Sequence, residues 1–242
     1  TNWTEVNDLT SSKAFRAGSG VQTSALCYGG SNSGNTESWN GTNWTEVADL
    51  GVARRFLAGA GVSNTSALAF GGNLDPPPAA VTNTELWGGS SWTAVAHMNN
   101  NHMNMGGGGT ATSAIVMGNA NPADANTEIW NGSSWTEVNN LNQAAAARSG
   151  TAADSTAALC FGGEPAPSYG SLTEQWNGTN WTEVNDLSQQ RYDAGGNGTA
   201  TSALATGGAA PPGQLVTTEE WTFAPVGAWA TGNVMNLGRR TL

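Results

Sequence analysis

The stretch WNGTNWTEVADL, residues 39–50, decides the fold because it recurs along the chain. It returns almost letter for letter as WNGTNWTEVNDL at residues 176–187, and in looser form at residues 87–95 and 130–141. The chain also opens on a partial copy, TNWTEVNDL, at residues 1–9. A phrase that recurs at this interval indicates a repeat architecture, in which each repeat is one small unit that packs on its neighbours.

The composition excludes several classes of protein. The 242 residues carry 8 Lys plus Arg against 18 Asp plus Glu, which gives a formal net charge of -10. Nucleic acids and anionic membrane surfaces reward clustered cations, so neither is expected as a partner. No apolar run is long enough to span a membrane. The 33 glycines indicate short strands joined by turns, and the 11 tryptophans argue against disorder.

Alignment of the copies gives a unit of four short pieces. The first is rich in Gly and Ala, the second is apolar and ends in a Gly doublet, the third reads Thr-Glu-x-Trp, and the fourth starts at a second Trp. Such pieces, bounded by Gly, Asn and Ser, are typical of strands, and the Asn-Gly pairs before the fourth piece favour tight hairpins. The residues that define the repeat are Trp3, Trp39, Trp44, Trp87, Trp92, Trp130, Trp135, Trp176, Trp181 and Trp221, with Gly29, Gly30, Gly71, Gly72, Gly162, Gly163, Gly207 and Gly208.

Five sets of these pieces predict an all-β fold, a five-bladed β-propeller with four antiparallel strands in each blade. The order of the signals is an Arg, an apolar strand closed by a Gly doublet, an acidic-aromatic strand, and a spaced Trp. In this order the sequence resembles the kelch-repeat β-propellers over residues 1–223, and in particular kelch-like repeats of phage and bacterial surface proteins. The third copy departs from the pattern, since it has Gly118-Asn119 in place of the doublet.

The same alignment predicts where the blades lie and how the ring closes. Residues 1–9 are predicted to supply the outer strand of the last blade, because they match the consensus better than the segment around Trp229. Residues 224–242 are read as a tail that starts a further degenerate repeat, so we expect a monomer or a segment of a longer chain. The predicted blades span about residues 14–50, 55–98, 104–141, 147–187 and 193–223.

Charged residues recur once in each repeat and suggest a clamp within the blade. An Arg precedes most first strands, and a Glu begins each third strand. An Arg–Glu pair in each blade is the preferred hypothesis, and a ring of Arg that binds an anionic ligand is the alternative. The residues concerned are Arg16, Arg54 or Arg55, Arg148 and Arg191, with Glu37, Glu85, Glu128, Glu174 and Glu219.

The two cysteines, Cys27 and Cys160, occupy the same position in two repeats that are not neighbours. Such positions are expected to be too far apart for a disulfide, so both side chains are interpreted as small buried hydrophobic groups.

The loops between second and third strands are candidates for binding. They differ in length and sequence, whereas the turns of the opposite face are short and uniform. Variation on one face of a repeated scaffold favours a binding role, and the resemblance to kelch proteins implies the same face. The alternative is that these loops vary without function. The candidate binding residues are Asp75, Asp124, Glu164 and Tyr169, in the loops 73–83, 120–126 and 164–172; the other two loops are 31–35 and 209–217.

The sequence predicts no catalytic, metal or cofactor site. His97 and His102 are interpreted as exposed loop residues rather than metal ligands. No nucleophile elbow or phosphate loop occurs, and the small residues of the first strands offer few groups for a substrate pocket near the axis. The preferred hypothesis is a non-catalytic binding module of a virion or cell-surface protein, with a protein or a glycan as the candidate ligand. The alternatives are a structural spacer of a larger fibre or surface protein and, less favoured, a glycan-active enzyme.

Overall fold

A computed structural model of the chain describes residues 4–31, 33–120, 123–164 and 170–223, and the backbone of residues 228–231. Within these residues the chain forms five four-stranded antiparallel sheets and no helix. Nothing in the described part is therefore a helix that could cross a membrane. The sheets follow one another around an axis as the blades of a five-bladed β-propeller, which confirms the predicted all-β fold.

The strands lie close to where the repeat places them. The inner strands, nearest the axis, are Ala17–Val21, Ala58–Ser63, Gly106–Thr110, Ser149–Asp154 and Gly195–Gly198. The second strands are Ser24–Tyr28, Ser66–Phe70, Ser113–Ala120, Ala157–Phe161 and Ser202–Thr206. The third strands are Thr36–Trp39, Thr84–Trp87, Ala123–Trp130, Thr173–Trp176 and Thr218–Thr222. The outer strands are Trp44–Val47, Trp92–Ala94, Trp135–Glu137, Trp181–Val184 and Ala228–Thr231.

Two of the variable loops carry a small hairpin of their own. Asn73–Leu74 pairs with Ala79–Ala80, and Ala209–Ala210 pairs with Gly213–Gln214. These two loops therefore form local strand pairs on the face of the propeller where the second strands end.

Small residues let the inner strands crowd around the axis. A Cβ added at Gly108 would lie 2.7 Å from the backbone nitrogen of Ala152 in the next blade. Such a distance is too short for any side chain, so the glycine is required by the close approach of two backbones. The Gly- and Ala-rich first pieces of the repeat are explained in this way.

The hydrophobic core consists of layers between successive blades. In the first layer, Leu26 and Tyr28 of the first blade pack on Ala67, Ala69 and Trp87 of the second. Three further layers repeat the arrangement between the second and third, third and fourth, and fourth and fifth blades. Each sheet thus has a forward face with large side chains and a backward face with alanines and tryptophans.

Hydrogen bonds from the second tryptophans reinforce these layers. The indole Nε1 groups of Trp92, Trp135 and Trp181 donate to a Thr hydroxyl in the preceding blade, at 3.0, 2.9 and 3.2 Å. A buried Trp usually needs such a partner for its N–H group. The Thr-Glu-x-Trp piece therefore contributes to the interface as well as to its own sheet.

The outer strand of the fifth blade corrects the predicted closure. Ala228–Thr231 pairs with Thr218–Thr222, and Trp229 lies opposite Trp221. Residues 4–9, the described part of the predicted donor, form no strand, and Trp3 lies outside the described residues. Only a short loop joins Thr218–Thr222 to the strand that follows it in the chain. Pairing with the N-terminus would instead close a loop of about 200 residues, which costs more conformational entropy.

Candidate functional site

The variable loops and the start of every inner strand lie on the same face of the propeller. At the axis of this face a cavity of about 200 Å³ opens, and all five blades contribute to its lining. The wall includes backbone from the Gly- and Ala-rich inner strands. Its larger residues are Phe15, Arg16, Phe56, Leu57, Asn104, Met105, Arg148 and Asp193.

One residue in each blade, just ahead of the inner strand, has a left-handed backbone although it is not glycine. We call these five the mouth residues. A left-handed non-glycine residue costs about 1–3 kcal/mol and persists only where its surroundings hold it. The mouth residues and their φ angles are Phe15 (62°), Phe56 (55°), Asn104 (48°), Ala147 (52°) and Asp193 (50°).

Backbone hydrogen bonds link the mouth residues to one another. Phe56 donates its N–H to the carbonyl of Phe15 at 3.1 Å, and Asn104 donates to Phe56 at 3.0 Å. Asp193 donates in the same way to Ala147 at 3.2 Å. The left-handed turn is therefore part of how neighbouring blades join, and all the mouth residues except Ala147 line the cavity.

The mouth combines aromatic and polar groups. The rings of Phe15 and Phe56 lie 4.2 Å apart, and the guanidinium of Arg55 lies 5.3 Å from the Phe56 ring. Between the third and fifth blades, Asn104 Nδ2 donates to Asp193 Oδ1 at 3.0 Å. An apolar surface beside an amide and a carboxylate suits a small polar ligand with one apolar face. The sequence carried no signal for this site, because the five mouth residues have no common side-chain type.

The predicted Arg–Glu clamp is confirmed in four blades. The pairs are buried, with N–O distances of 3.1 Å for Arg16–Glu37, 2.9 Å for Arg54–Glu85, 3.1 Å for Arg148–Glu174 and 2.7 Å for Arg191–Glu219. These four arginines are engaged within the protein, which argues against a ring that binds an anion. Arg55, the other candidate in the second blade, pairs with Asp75 instead.

Each clamp also holds the linker that leads into its blade. The carboxylate of Glu37 accepts the N–H of Thr10 at 2.6 Å, and Glu85 accepts that of Gly51 at 2.6 Å. Burial alone raises the pKa of Glu37, but the hydrogen bonds from Thr10, Ser11 and Arg16 outweigh it and leave that pKa below its usual range. The clamp carboxylates are thus structural anchors.

The guanidinium of the clamp comes from either of two sequence positions. Arg16 and Arg148 directly follow a mouth residue, and there the second strand carries a cysteine, whose Sγ lies 3.5 or 3.7 Å from the Arg Nη1. Arg54 and Arg191 instead lie two residues ahead of a mouth residue, and alanines, Ala69 and Ala205, replace the cysteines. Both cysteines are free thiols. Cys160 is buried as predicted, whereas Cys27 is only half-buried.

The third blade uses histidine where the second and fifth use arginine. His102 is completely buried, with Nδ1 2.8 Å from the carbonyl of Gly118 and Nε2 3.4 Å from Glu128 Oε1. The prediction that it is exposed was wrong, because it occupies the same place in its blade as Arg54. His97 is exposed as predicted. Burial raises the pKa of Glu128, but hydrogen bonds from His102, Asn99 and Asn100 outweigh this and lower it.

The predicted binding residues lie on the loop face but in separate places. Asp75 forms a partly exposed ion pair with Arg55 at 2.8 Å. Asp124, predicted in a loop, lies in the third strand Ala123–Trp130, where it accepts the N–H of Asn126 at 3.1 Å. The backbone of Glu164 pairs with Ala146. Tyr169 lies outside the described residues. The described part of the chain holds no group of three or more His, Cys, Asp or Glu placed for a metal ion. A binding role for these four residues stays a prediction.

Comparisons with known proteins support the fold alone. No family model matches this chain, and no curated protein matches it. Among solved structures, that of YjhT is similar, with a TM-score of 0.79 and 12% sequence identity over 97% of this chain and 88% of that chain. An identity this low shows shared architecture and transfers no ligand or activity. What this chain shares with YjhT is the β-propeller fold.

Proposed function

We propose that the protein is a non-catalytic binding module that takes a glycan at the axial mouth and the surrounding loops. The observation that carries this proposal is the chemistry of the mouth, where Phe15 and Phe56 stand beside the Asn104–Asp193 pair over a cavity of about 200 Å³. Aromatic faces pack on the apolar face of a sugar ring, and an amide and a carboxylate can bond its hydroxyl groups.

The lining of the cavity favours binding over catalysis. Among the described residues that line it, Asp193 carries the one carboxylate, and it already accepts a hydrogen bond from Asn104. Hydrolysis of a glycosidic bond generally uses two carboxyl groups on opposite sides of the bond. Arg16 and Arg148 also reach the lining, but both are engaged with a glutamate.

We assign the module to the surface of a virion or a cell, as a kelch-like repeat unit. The support is compositional, since only 11% of the residues are charged and the variable loops are rich in Asn, Ser and Pro. Such uncharged polar surfaces suit contact with carbohydrate. The competing function is a structural spacer, for which the mouth residues would need no chemistry beyond their backbone.

A glycan array tests the proposal, with variants that empty the mouth without adding strain. Glycine accepts a positive φ, so Phe15→Gly with Phe56→Gly, and separately Asn104→Gly, remove side chains while the backbone keeps its conformation. We expect a clear hit for the native protein and a loss of about tenfold or more in affinity for each variant. Ser90→Gly, in an exposed hairpin of the opposite face, is the matched control and should bind normally.

A loop exchange then separates the mouth from the rim. Replacement of residues 73–83 by the shorter loop 31–35 removes Asp75 and leaves the mouth residues in place. Weaker binding in this variant assigns a share of the contacts to the variable loops. Absence of any hit for the native protein, or mouth variants that bind as well as the native protein, would favour the spacer instead.

A further inference from the structure

The junction between the fifth and first blades differs from the other four. The inner strand Gly195–Gly198 is exposed along its whole length and hardly touches Ala17–Val21 of the first blade. On the forward face of the fifth blade, Leu204 is partly exposed, whereas its counterpart Leu159 is completely buried. A groove of about 380 Å³ lies beside Leu204 and Glu220, which pair with each other on this face.

The backward face of the first blade is uncovered in the same way. Ala25 and Cys27 are partly exposed, whereas Ala158 and Cys160 at the same positions in the fourth blade are completely buried. Within the described part of the chain, no hydrogen bond joins Trp44 to the partly exposed Thr218, although Trp92, Trp135 and Trp181 each make the equivalent bond. A forward face and a backward face, which pack on each other at the other four junctions, are therefore separated at this one.

The N-terminal segment shows what belongs between them. Asn7 Nδ2 donates to Thr42 O at 2.9 Å and to Asn43 Oδ1 at 2.6 Å. Asn139, which follows the outer strand of the third blade, makes the same two bonds to Thr179 O and Asn180 Oδ1 of the fourth, at 3.0 and 2.8 Å. Residues 4–9 thus lie against the first blade as the end of a preceding outer strand would.

Exposure of the same segment supports this placement. Val6 is 63% exposed and Leu9 is 36% exposed, whereas Leu50, the counterpart of Leu9, is 5% exposed. Thr10 nevertheless bonds Glu37 as Gly51 bonds Glu85, so the segment is in register with the repeat. The segment thus makes the hydrogen bonds that residues after an outer strand make, although residues 4–9 themselves form no strand.

We propose that the cleft between the fifth and first blades is the docking site of one further blade, whose inner three strands are another unit of this repeat and whose outer strand is residues 4–7. The forward face of the fifth blade, with Leu204, would receive the alanine face of the new unit. The backward face of the first blade, with Ala25 and Cys27, would receive its large aliphatic side chains. Direct closure between the fifth and first blades would leave no place for the sheet that residues 4–9 border.

The cysteines provide a direct test, in which a second copy of residues 106–130 is fused after Leu242. The fusion gives Trp229 the same spacing to its following inner strand that Trp92 has to Gly106. This unit is chosen because its Ile115 and Met117 pack on Ala158 and Cys160, the pair that Ala25 and Cys27 repeat. Maleimide labelling should then slow at Cys27 by about tenfold or more, toward the rate of the buried Cys160, as expected when local opening becomes necessary.

A Gly-Ser segment of equal length, fused at the same place, is the matched control and should leave Cys27 reactive. Because a fused unit can fail through its linker, a synthetic peptide of residues 106–130 is also added in trans to the unfused chain. Protection of Cys27 by either form, with slower backbone hydrogen exchange at residues 4–7, supports the proposal. Protection by neither form overturns it. A dimer of the unfused chain in light scattering, with Cys27 protected, also overturns it, since a second copy would then be the occupant.

Discussion

The junction between the fourth and fifth blades and the junction between the fifth and first blades present the same repeat in two environments. At the first, Leu159 and Phe161 are completely buried against Ala203, Ala205 and Trp221. At the second, Leu204 is partly exposed, although it follows an alanine at the same place in its strand as Leu159. The difference teaches that a blade gains its hydrophobic stability from its neighbours rather than from its own sheet.

The largest expected difference is between two equivalent tryptophans. Trp181 is 6% exposed, packs between the third and fourth blades, and donates to Thr127. We expect Trp181→Ala to lower the free energy of unfolding by about 3–5 kcal/mol, because it opens a cavity in the core. Trp44→Ala, at the open junction, should cost about half as much or less. Urea denaturation measures both, and equal losses would contradict the comparison.

A substitution within a blade should cost the same stability whether or not the blade borders the open junction. Arg16→Met and Arg148→Met each leave a buried glutamate without its cation, in the first and fourth blades respectively. Each is expected to cost about 3–5 kcal/mol, because a buried charge that loses its partner is strongly unfavourable. Arg55→Met, which breaks a partly exposed pair, serves as the control and should cost about 1 kcal/mol or less. A much smaller loss for Arg16→Met would mean that the open junction weakens the clamp itself.

Two leucines at the same position of the second strands should show a smaller difference in stability. Leu159→Ala should cost about 2–5 kcal/mol, since the side chain is completely buried. Leu204→Ala, at the same place in the fifth blade, should cost about 1 kcal/mol, because its surface is already partly in water. Thermal unfolding of the two variants checks this. If the repeat unit docks in the cleft as proposed, Leu204→Ala should become more costly in the fused protein.

The smallest expected effect is a change in stability at low pH. The pKa of Glu128 is lowered in the folded protein, so its ionised form contributes stability above its unfolded pKa, and this contribution is lost as the pH falls through the folded value. Stability should therefore decline as the pH falls below about 4.5. Glu128→Gln should be less stable at neutral pH and show a shallower decline. Urea titrations between neutral pH and pH 3 measure both slopes, and identical slopes would exclude Glu128 as a contributor.

The sequence predicted the strands well because each of them carries its own signal. Gly doublets, Thr-Glu-x-Trp and Asn-Gly pairs act locally, so the strand positions follow from spacing alone. Closure was predicted wrongly because residues 1–9 match an outer strand whichever blade they border. Sequence likeness identifies the type of strand, but the partner depends on which edge is free in three dimensions.

The candidate site was harder to predict for a related reason. Phe15, Asn104 and Asp193 have a common place, two residues ahead of an inner strand, but no common side chain. The burial of His102 did have a signal, since it aligns with Arg54 and Arg191 rather than with the neighbouring loop residues. Alignment of the repeats by backbone position, instead of by residue type, would have found both.

The two sources of the clamp guanidinium also determine which substitutions can compensate for one another. Arg16 and Arg54 bind equivalent glutamates in two blades, one from the position after a mouth residue and the other from two positions before it. A blade can therefore supply the guanidinium from either position. Loss of an arginine at one position can be offset by gain at the other, provided that the second strand exchanges its cysteine and alanine to fit. Variation in this protein is therefore expected to occur as linked sets of residues within a blade, and a comparison that scores each position independently would overlook the interaction they share.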